Sequence, residues 1–247
     1  MKDAEQKVQK GHLHPVTLLT NKLLSVCTEL GFEVVTGPEI EDEYFNFDAL
    51  NVPKNHPARD MQDTFWIKGE EGKLLRTHTS AVQARFLREH TPPIRIVVPG
   101  KVFRYEATDA THETQFFQLE GLAIDKHITL AHLKDTLNEL FKALFGNDVE
   151  IRFRPAFFPF VEPGVEVDVS CFLCRKKGCS LCKQSGWIEV MGAGMVHPNV
   201  LSEAGIHPRD FRGFAFGFGI DRLVMLKYGI EDIRLFYSGD LRLVSQF

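Results

Sequence analysis

Seven residues near the C-terminal end, GFAFGFG at 213–219, constrain the fold more than any other stretch. Successive side chains of a β-strand point to opposite faces. Phe214, Phe216 and Phe218 therefore share one face, and Gly213, Ala215, Gly217 and Gly219 share the other. Three phenylalanines on one side require a core beneath the strand. The other side carries a single methyl group. Interior glycine weakens a strand and commonly marks close approach by a ligand or by another backbone. Asp221-Arg222 then open a helix, which sets a cation beside the bare face.

Strand patterns also occupy 32–36, 63–68, 94–98, 101–107, 115–124, 149–154, 165–170 and 186–191. Helical periodicity covers 15–30, 80–90, 129–145 and 220–228, with Gly31 and Gly146 as stops. Ser80 and Gln83 stand in capping-box spacing. Residues 44–60, rich in Asn, Asp and Pro, read as an irregular excursion. Strands without regular βαβ alternation predict an α+β fold, a mostly antiparallel sheet flanked by helices. Residues 1–13 read as a disordered or frayed polar lead-in, and 14–247 as one domain with a Cys-rich knob at 171–182. The formal net charge of −4 argues against a chain that coats nucleic acid, so any RNA contact is local. No window approaches the roughly 18 apolar residues of a membrane helix. The charged N-terminus lacks a signal-peptide core, and a cytoplasmic location is expected.

Segment 101–124 carries chemistry. On a strand, Val102, Arg104 and Glu106 share a face; after a turn, Phe116, Gln118 and Glu120 share one too. The hairpin offers a guanidinium suited to phosphate and an aromatic ring suited to a base. A hairpin with a merely solvated charged face is the competing reading.

FRYE (103–106) resembles motif 2 of the class II aminoacyl-tRNA synthetases, GFGIDR (217–222) their motif 3, and Gly37-Pro38 their motif 1. THTS (77–80), RFRPAFFPFVEPGVEVDV (152–169) and GAGMVHPNVL (192–201) resemble the α subunits of bacterial phenylalanyl-tRNA synthetases more narrowly. The resemblance runs from about His14 to Phe247 and implies the class II catalytic fold. It implies ATP-dependent activation of L-phenylalanine to the adenylate, transfer to tRNA(Phe), and a β-subunit partner in a heterotetramer. Such α subunits usually begin with a coiled-coil arm, and only about a dozen polar residues stand here in its place. Efficient tRNA charging is thereby in question, adenylation is not.

By resemblance, Arg104 and Arg222 are catalytic. Arg104 contacts the α-phosphate, Glu106 the adenine amino group, and Phe116 stacks on adenine, with His112 and Arg222 toward the β,γ-phosphates. Gln118 and Glu120 face the substrate ammonium, with His78, Ser80 and Gln83 nearby. Phe158 and Phe160 clasp the benzyl ring edge-to-face and Ala215 forms the pocket floor, while Phe157, of opposite parity, goes to core. Mg²⁺ accompanies ATP, and Glu189 is the candidate carboxylate ligand, with a surface-facing glutamate as the alternative. An apolar wall rejects tyrosine only by about 10², so proofreading is expected of the β subunit.

Four of the five cysteines form Cys171-x2-Cys174-x4-Cys179-x2-Cys182. Two CxxC pairs predict structural zinc; free thiols are the other outcome. Cys27 lies on the apolar face of the first helix and reads as core. Two other functions remain open at this level: a class II paralogue that adenylates phenylalanine but charges tRNA poorly or not at all, and an inactive zinc-containing interaction module.

Overall fold

The computed structural model describes residues 11–59 and 64–247. Helix α1 (Pro15–Glu29) begins at a proline, which fits the first helical turn, and the His14 imidazole accepts from Val16 N at 3.3 Å. Strand β1 (Glu33–Val34) follows. Strand β2 (Ile40–Asp42), helix α2 (Glu43–Asn46) and strand β3 (Lys73–Leu75) make a small annex in which β2 pairs antiparallel with β3. Helix α3 (Ser80–Glu89) leads into β4 (Ile94–Phe103) and β5 (Gln115–Asp125). Helix α4 (Leu130–Phe145) precedes β6 (Ile151–Phe158), β7 (Val161–Ser170) and β8 (Trp187–Val196). Helix α5 (Pro198–Glu203), β9 (Arg212–Gly219), α6 (Ile220–Tyr228) and α7 (Leu241–Val244) complete the chain.

One sheet runs β1-β4-β5-β9-β8-β7-β6. Every pairing is antiparallel except that of β1 with β4. Strand β9 lies at the centre, and its alternation divides the molecule. Phe214, Phe216 and Phe218, at most 3% exposed, enter the larger core with α1, α4 and α6. Burying each contributes about 1.5–3 kcal/mol. Ala215 lies against the second core, built from Ile94, Ile96, Val98, Leu122 and Ile124 with α3 and α5.

The structure departs from the sequence expectations in particular places. Strands expected at 94–98 and 101–107 are one continuous strand that ends at Phe103. Gly100 is admitted there because an ideal Cβ would stand 2.2 Å from an Arg76 guanidinium nitrogen. Beyond Phe103 the chain leaves the sheet, so Tyr105 and Glu106 are exposed. Of the strand expected at 63–68, Asp63 lies outside the described residues and only Trp66 makes a bridge, to Leu74. The capping box does not form. Thr79 is the N-cap of α3 without a side-chain cap bond, its hydroxyl donating instead to Val98 O at 3.1 Å, and the Ser80 hydroxyl turns to Glu120. Phe157 is 85% exposed, not core. Ile151 and Phe153 on the edge strand β6 still pack on the larger core, whereas Phe157 lies further along that edge, unpaired within a register slip between Ala156 and Phe158.

Candidate active site

A cavity of about 320 Å³ opens on the bare face of β9. Strand β5 supplies Gln118, Glu120 and Leu122, all of one parity, and their neighbours Ala215 and Gly217 on β9 leave the space over that face open. The absence of side chains on Gly217 and Gly192 is required. A Cβ on Gly217 would lie 2.8 Å from Glu120 Cγ, and one on Gly192 would lie 2.9 Å from the Phe158 ring.

Glu120 organises the polar part. It is 6% exposed and accepts hydrogen bonds from Thr79 N (3.1 Å) and from the Ser80 hydroxyl. With its amide oriented to suit its neighbours, Gln118 donates to Glu120 Oε1 (3.2 Å) and accepts from Arg104 (3.2 Å). Arg104 Nε donates to Thr77 O at 3.2 Å. Thr77 is itself held by Asn46, which is fully buried, through bonds of 3.0 and 3.2 Å. Burial raises the Glu120 carboxyl above its ordinary range, against the bonds from Ser80 and Thr79 and the charge of Arg104. Burial pushes the His78 imidazole down to about 4, helped by Arg104, so it is neutral at neutral pH. His78 Nδ1 and Gln83 Nε2 are buried and have no hydrogen-bond partner among the described residues. Both line the cavity. Buried polar atoms are nearly always paired, so these two mark where a polar ligand group fits.

The apolar wall comes from Phe158, Phe160, Leu50, Val161, Val196 and Val200, with Ala215 beside it. The two phenylalanine rings lie 6.0 Å apart at 18°, near-parallel to each other. Sequence reasoning missed Leu50 and Val200. Neither lies in a segment with a periodicity that points at the cavity, and only the fold brings the 44–60 excursion and α5 to it.

Beside the cavity, the Arg104 guanidinium lies 5.1 Å from the Phe116 ring centroid. A Cβ on Gly219 would lie 3.8 Å from Arg222 Cβ and 3.9 Å from Phe116 Cδ2. Phe116 and Arg222 thus flank the bare end of β9, with Arg222 exposed. Three expected residues are not drawn in. Glu106 is exposed outside the cavity lining. His112 is exposed and bonded to Asp109 at 3.1 Å in a turn. Glu189 is exposed on β8 and pairs with Arg154 at 2.9 Å, so it contributes no oxygen to the cavity. The reason lies in the strand: Glu189 pairs with Asp168 on β7, beside the arginines of β6, several residues before β8 reaches the cavity at Gly192.

The matching family model is that of the tRNA synthetases class II core domain (F), over residues 1–247. The phenylalanine–tRNA ligase alpha subunit of Dehalococcoides mccartyi is 57% identical over 242 residues, spanning 96% of this chain and 70% of that one. The chain belongs to the phenylalanine–tRNA ligase alpha-subunit family, within the class II synthetases. The corresponding subunit of Staphylococcus haemolyticus is 55% identical over 98% of this chain and 69% of its own, and that of Bacillus licheniformis 54% over 97% and 70%. The fold is shared more widely. The pyrrolysyl-tRNA synthetase of Desulfitobacterium hafniense superposes with a TM-score of 0.70 at 19% identity, covering 95% of this chain and 76% of that one. The family's antiparallel sheet is thus the frame on which this phenylalanine-rich wall is mounted. Among the described residues, no helix is long and apolar enough to cross a membrane.

The four clustered cysteines meet on the loop between β7 and β8. Their sulfurs all lie within 4.8 Å of one another. Cys171–Cys179, Cys174–Cys182 and Cys179–Cys182 each stand at 3.7 Å. The N–H groups of Cys179 and Gly186 donate to Cys182 Sγ at 3.2 and 3.3 Å. Cys27 is buried in the larger core.

Proposed function

We propose that this chain is a catalytic subunit that joins L-phenylalanine to ATP, forming phenylalanyl adenylate, and transfers the acyl group to tRNA(Phe) in company with a β subunit. The observation that carries this is the buried Glu120 carboxylate, set with two unpaired polar atoms beside the Phe158–Phe160 wall. An amino acid with an aromatic side chain presents complementary groups. Its ammonium meets Glu120 and Gln118, and its ring meets Phe158, Phe160 and Ala215. His78, Ser80 and Gln83 surround the ammonium and carboxylate.

The substrate carboxylate attacks the α-phosphorus; the new O–P bond forms as the bond to pyrophosphate breaks. The nucleophile is already an anion at neutral pH, so no general base is required. Rate then comes from positioning and from countercharge on phosphate oxygens. Arg104 supplies that charge at the α-phosphate and Arg222 at the departing pyrophosphate, each as a permanent cation. Phe116 would stack adenine on the ring face away from Arg104, whose guanidinium already lies 5.1 Å over the other. Glu106 and His112 reach ATP only if their exposed segment folds over it. Mg²⁺ usually arrives on substrate phosphates and keeps several waters. Glu189 pairs with Arg154 at 2.9 Å and would have to leave that pair to serve as a carboxylate ligand.

The cysteine knob fits zinc. A tetrahedral site with Zn–S of about 2.3 Å has sulfurs about 3.8 Å apart, close to the 3.7 Å of three of the six pairs here, the others lying within 4.8 Å. Cys171, Cys174, Cys179 and Cys182 would hold the ion, whose contribution is structural.

Pyrophosphate exchange measured with each of the twenty amino acids, on protein assembled with a β subunit, tests the reading. Exchange should depend on phenylalanine far more than on any other amino acid. Exchange with none, or equal exchange with leucine, overturns it.

A further inference from the structure

One side chain joins three parts of the pocket wall without lining the pocket. Asn51 ends the 3-10 turn at 48–50 in the left-handed conformation, φ 59° and ψ 24°. Its amide nitrogen donates to Pro159 O at 2.7 Å, and its amide oxygen accepts from Asn199 Nδ2 at 2.9 Å. Each of the joined residues adjoins a wall residue in sequence. Leu50 precedes Asn51, Phe158 and Phe160 flank Pro159, and Val200 follows Asn199.

The Phe158–Phe160 turn needs such a tie. The β6–β7 ladder slips between Ala156 and Phe158, and β7–β8 slips between Val161 and Gly164. The pairs Phe158–Val161 and Val161–Val196 close the turn, but the slips beside them separate it from the regular part of both ladders. Asn51 supplies a fixed point from a different layer, and the backbone bond from His197 N to Phe160 O (2.9 Å) supplies a second from the start of α5. The polar groups are anchored differently: Gln118 and Glu120 lie within β5, paired on both sides by β4 and β9.

A plain turn role is the simpler account, since asparagine tolerates the left-handed region better than most residues. That role uses only the backbone. Here both amide atoms are committed to groups remote in sequence, and both of those groups adjoin the wall.

We infer that Asn51 is a positioning residue for amino-acid selection: it holds the Phe158–Phe160 turn and α5 at the spacing that receives a benzyl group, without touching the substrate. This rests on the phenylalanine-pocket reading above.

The test uses Asn51→Gly, Asn51→Asp and Asn199→Ala in protein assembled with its β subunit. Glycine adopts the left-handed backbone freely, so Asn51→Gly removes the two side-chain bonds and leaves the turn. Asn51→Asp keeps an acceptor for Asn199 but cannot donate to Pro159 O. Pyrophosphate exchange is followed against phenylalanine, tyrosine and ATP, with the melting temperature alongside. Loss of hydrogen bonds of ordinary net strength predicts a KM for phenylalanine raised on the order of fivefold to tenfold in Asn51→Gly. Preference for phenylalanine over tyrosine should fall, while kcat and the KM for ATP stay near the parent values. Asn51→Asp should resemble Asn51→Gly, and Asn199→Ala should lie between it and the parent. An unchanged KM and an unchanged preference in Asn51→Gly overturn the inference. So does a rise in both KM values together with a lowered melting temperature, which would be a general structural effect. A parent protein without phenylalanine-dependent exchange removes the pocket reading and this inference with it; a working parent matched by Asn51→Gly removes the inference alone.

Discussion

Replacing Glu120 by glutamine separates the charge of the buried carboxylate from its shape. The volume is kept, and the amide oxygen can still accept from Thr79 N, 3.1 Å from Oε1 in the parent. The amide nitrogen then faces the Ser80 hydroxyl, which accepts as well as donates. The negative charge is lost, and the bond with Ser80 reverses direction. Burial raises this carboxyl above its ordinary range. A raised acid favours the folded chain at low pH, and that contribution is lost as pH climbs from the ordinary carboxylate range through the raised value. Glu120→Gln removes this slope, so its melting temperature at neutral pH should be no lower than the parent's.

The substrate ammonium, by contrast, loses its countercharge. Hydrogen bonds to charged groups contribute about 1.5–3 kcal/mol, so the KM for phenylalanine should rise roughly 10- to 100-fold. The KM for ATP should move little, because Arg104 remains. In the parent, phenylalanine binding should also weaken as pH falls through the Glu120 titration, a dependence absent from the variant. Exchange kinetics at several pH values, paired with thermal melts, read all three effects. A phenylalanine KM within a few-fold of the parent, together with a lowered melting temperature, would refute the reasoning: Glu120 would then be a structural acceptor for α3.

Arg104→Ala and Arg222→Ala should each slow pyrophosphate exchange on the order of 10²-fold or more, by analogy with loss of one transition-state donor; near-parent rates in either would remove its assignment. Ala215→Gly should admit para-chlorophenylalanine, discrimination for one added heavy atom being worth roughly 1–3 kcal/mol. Lower stability with an unaltered substrate range would instead mean that the Ala215 methyl serves only packing. Cys174→Ser with Cys182→Ser should abolish zinc binding, lower the melting temperature by about 5 °C or more and leave exchange mostly intact, as read by elemental analysis and calorimetry. Absence of zinc from parent protein made in zinc-replete, reducing conditions would overturn the metal assignment.

Local periodicity carried much of the architecture. Of the apolar residues spaced three and four apart over 15–30, Val16, Leu19, Leu23, Val26 and Cys27 are buried, and Leu30, at the C-cap, is half-buried. The parity of 213–219 was equally legible, because a strand with aromatic rings on one face and almost nothing on the other has only one orientation over a core. Cysteine spacing was informative for a similar reason. Short loops restrict where four sulfurs can go, and in the fold they converge to 3.7 Å contacts.

What the sequence by itself determined, then, is whatever depends on neighbours along the chain: helix faces, strand faces and the clustering of thiols. Tertiary structure alone decided the partners of polar groups. Ser80 and Gln83 have the spacing of a helix cap, yet the pairing of β5 with β9 brings a buried carboxylate beside α3, and Ser80 turns to it. Glu189 has the composition of a metal ligand, but Arg154 on β6 reaches it across β7. Phe157 and Phe158 are adjacent and chemically identical; one is 85% exposed and the other lines the cavity, because a register slip and a sheet edge decide which face has a layer over it. Parity along a strand is set by bond geometry within the chain. What lies opposite each face is set by the order of strands in the sheet, and no local spacing encodes that.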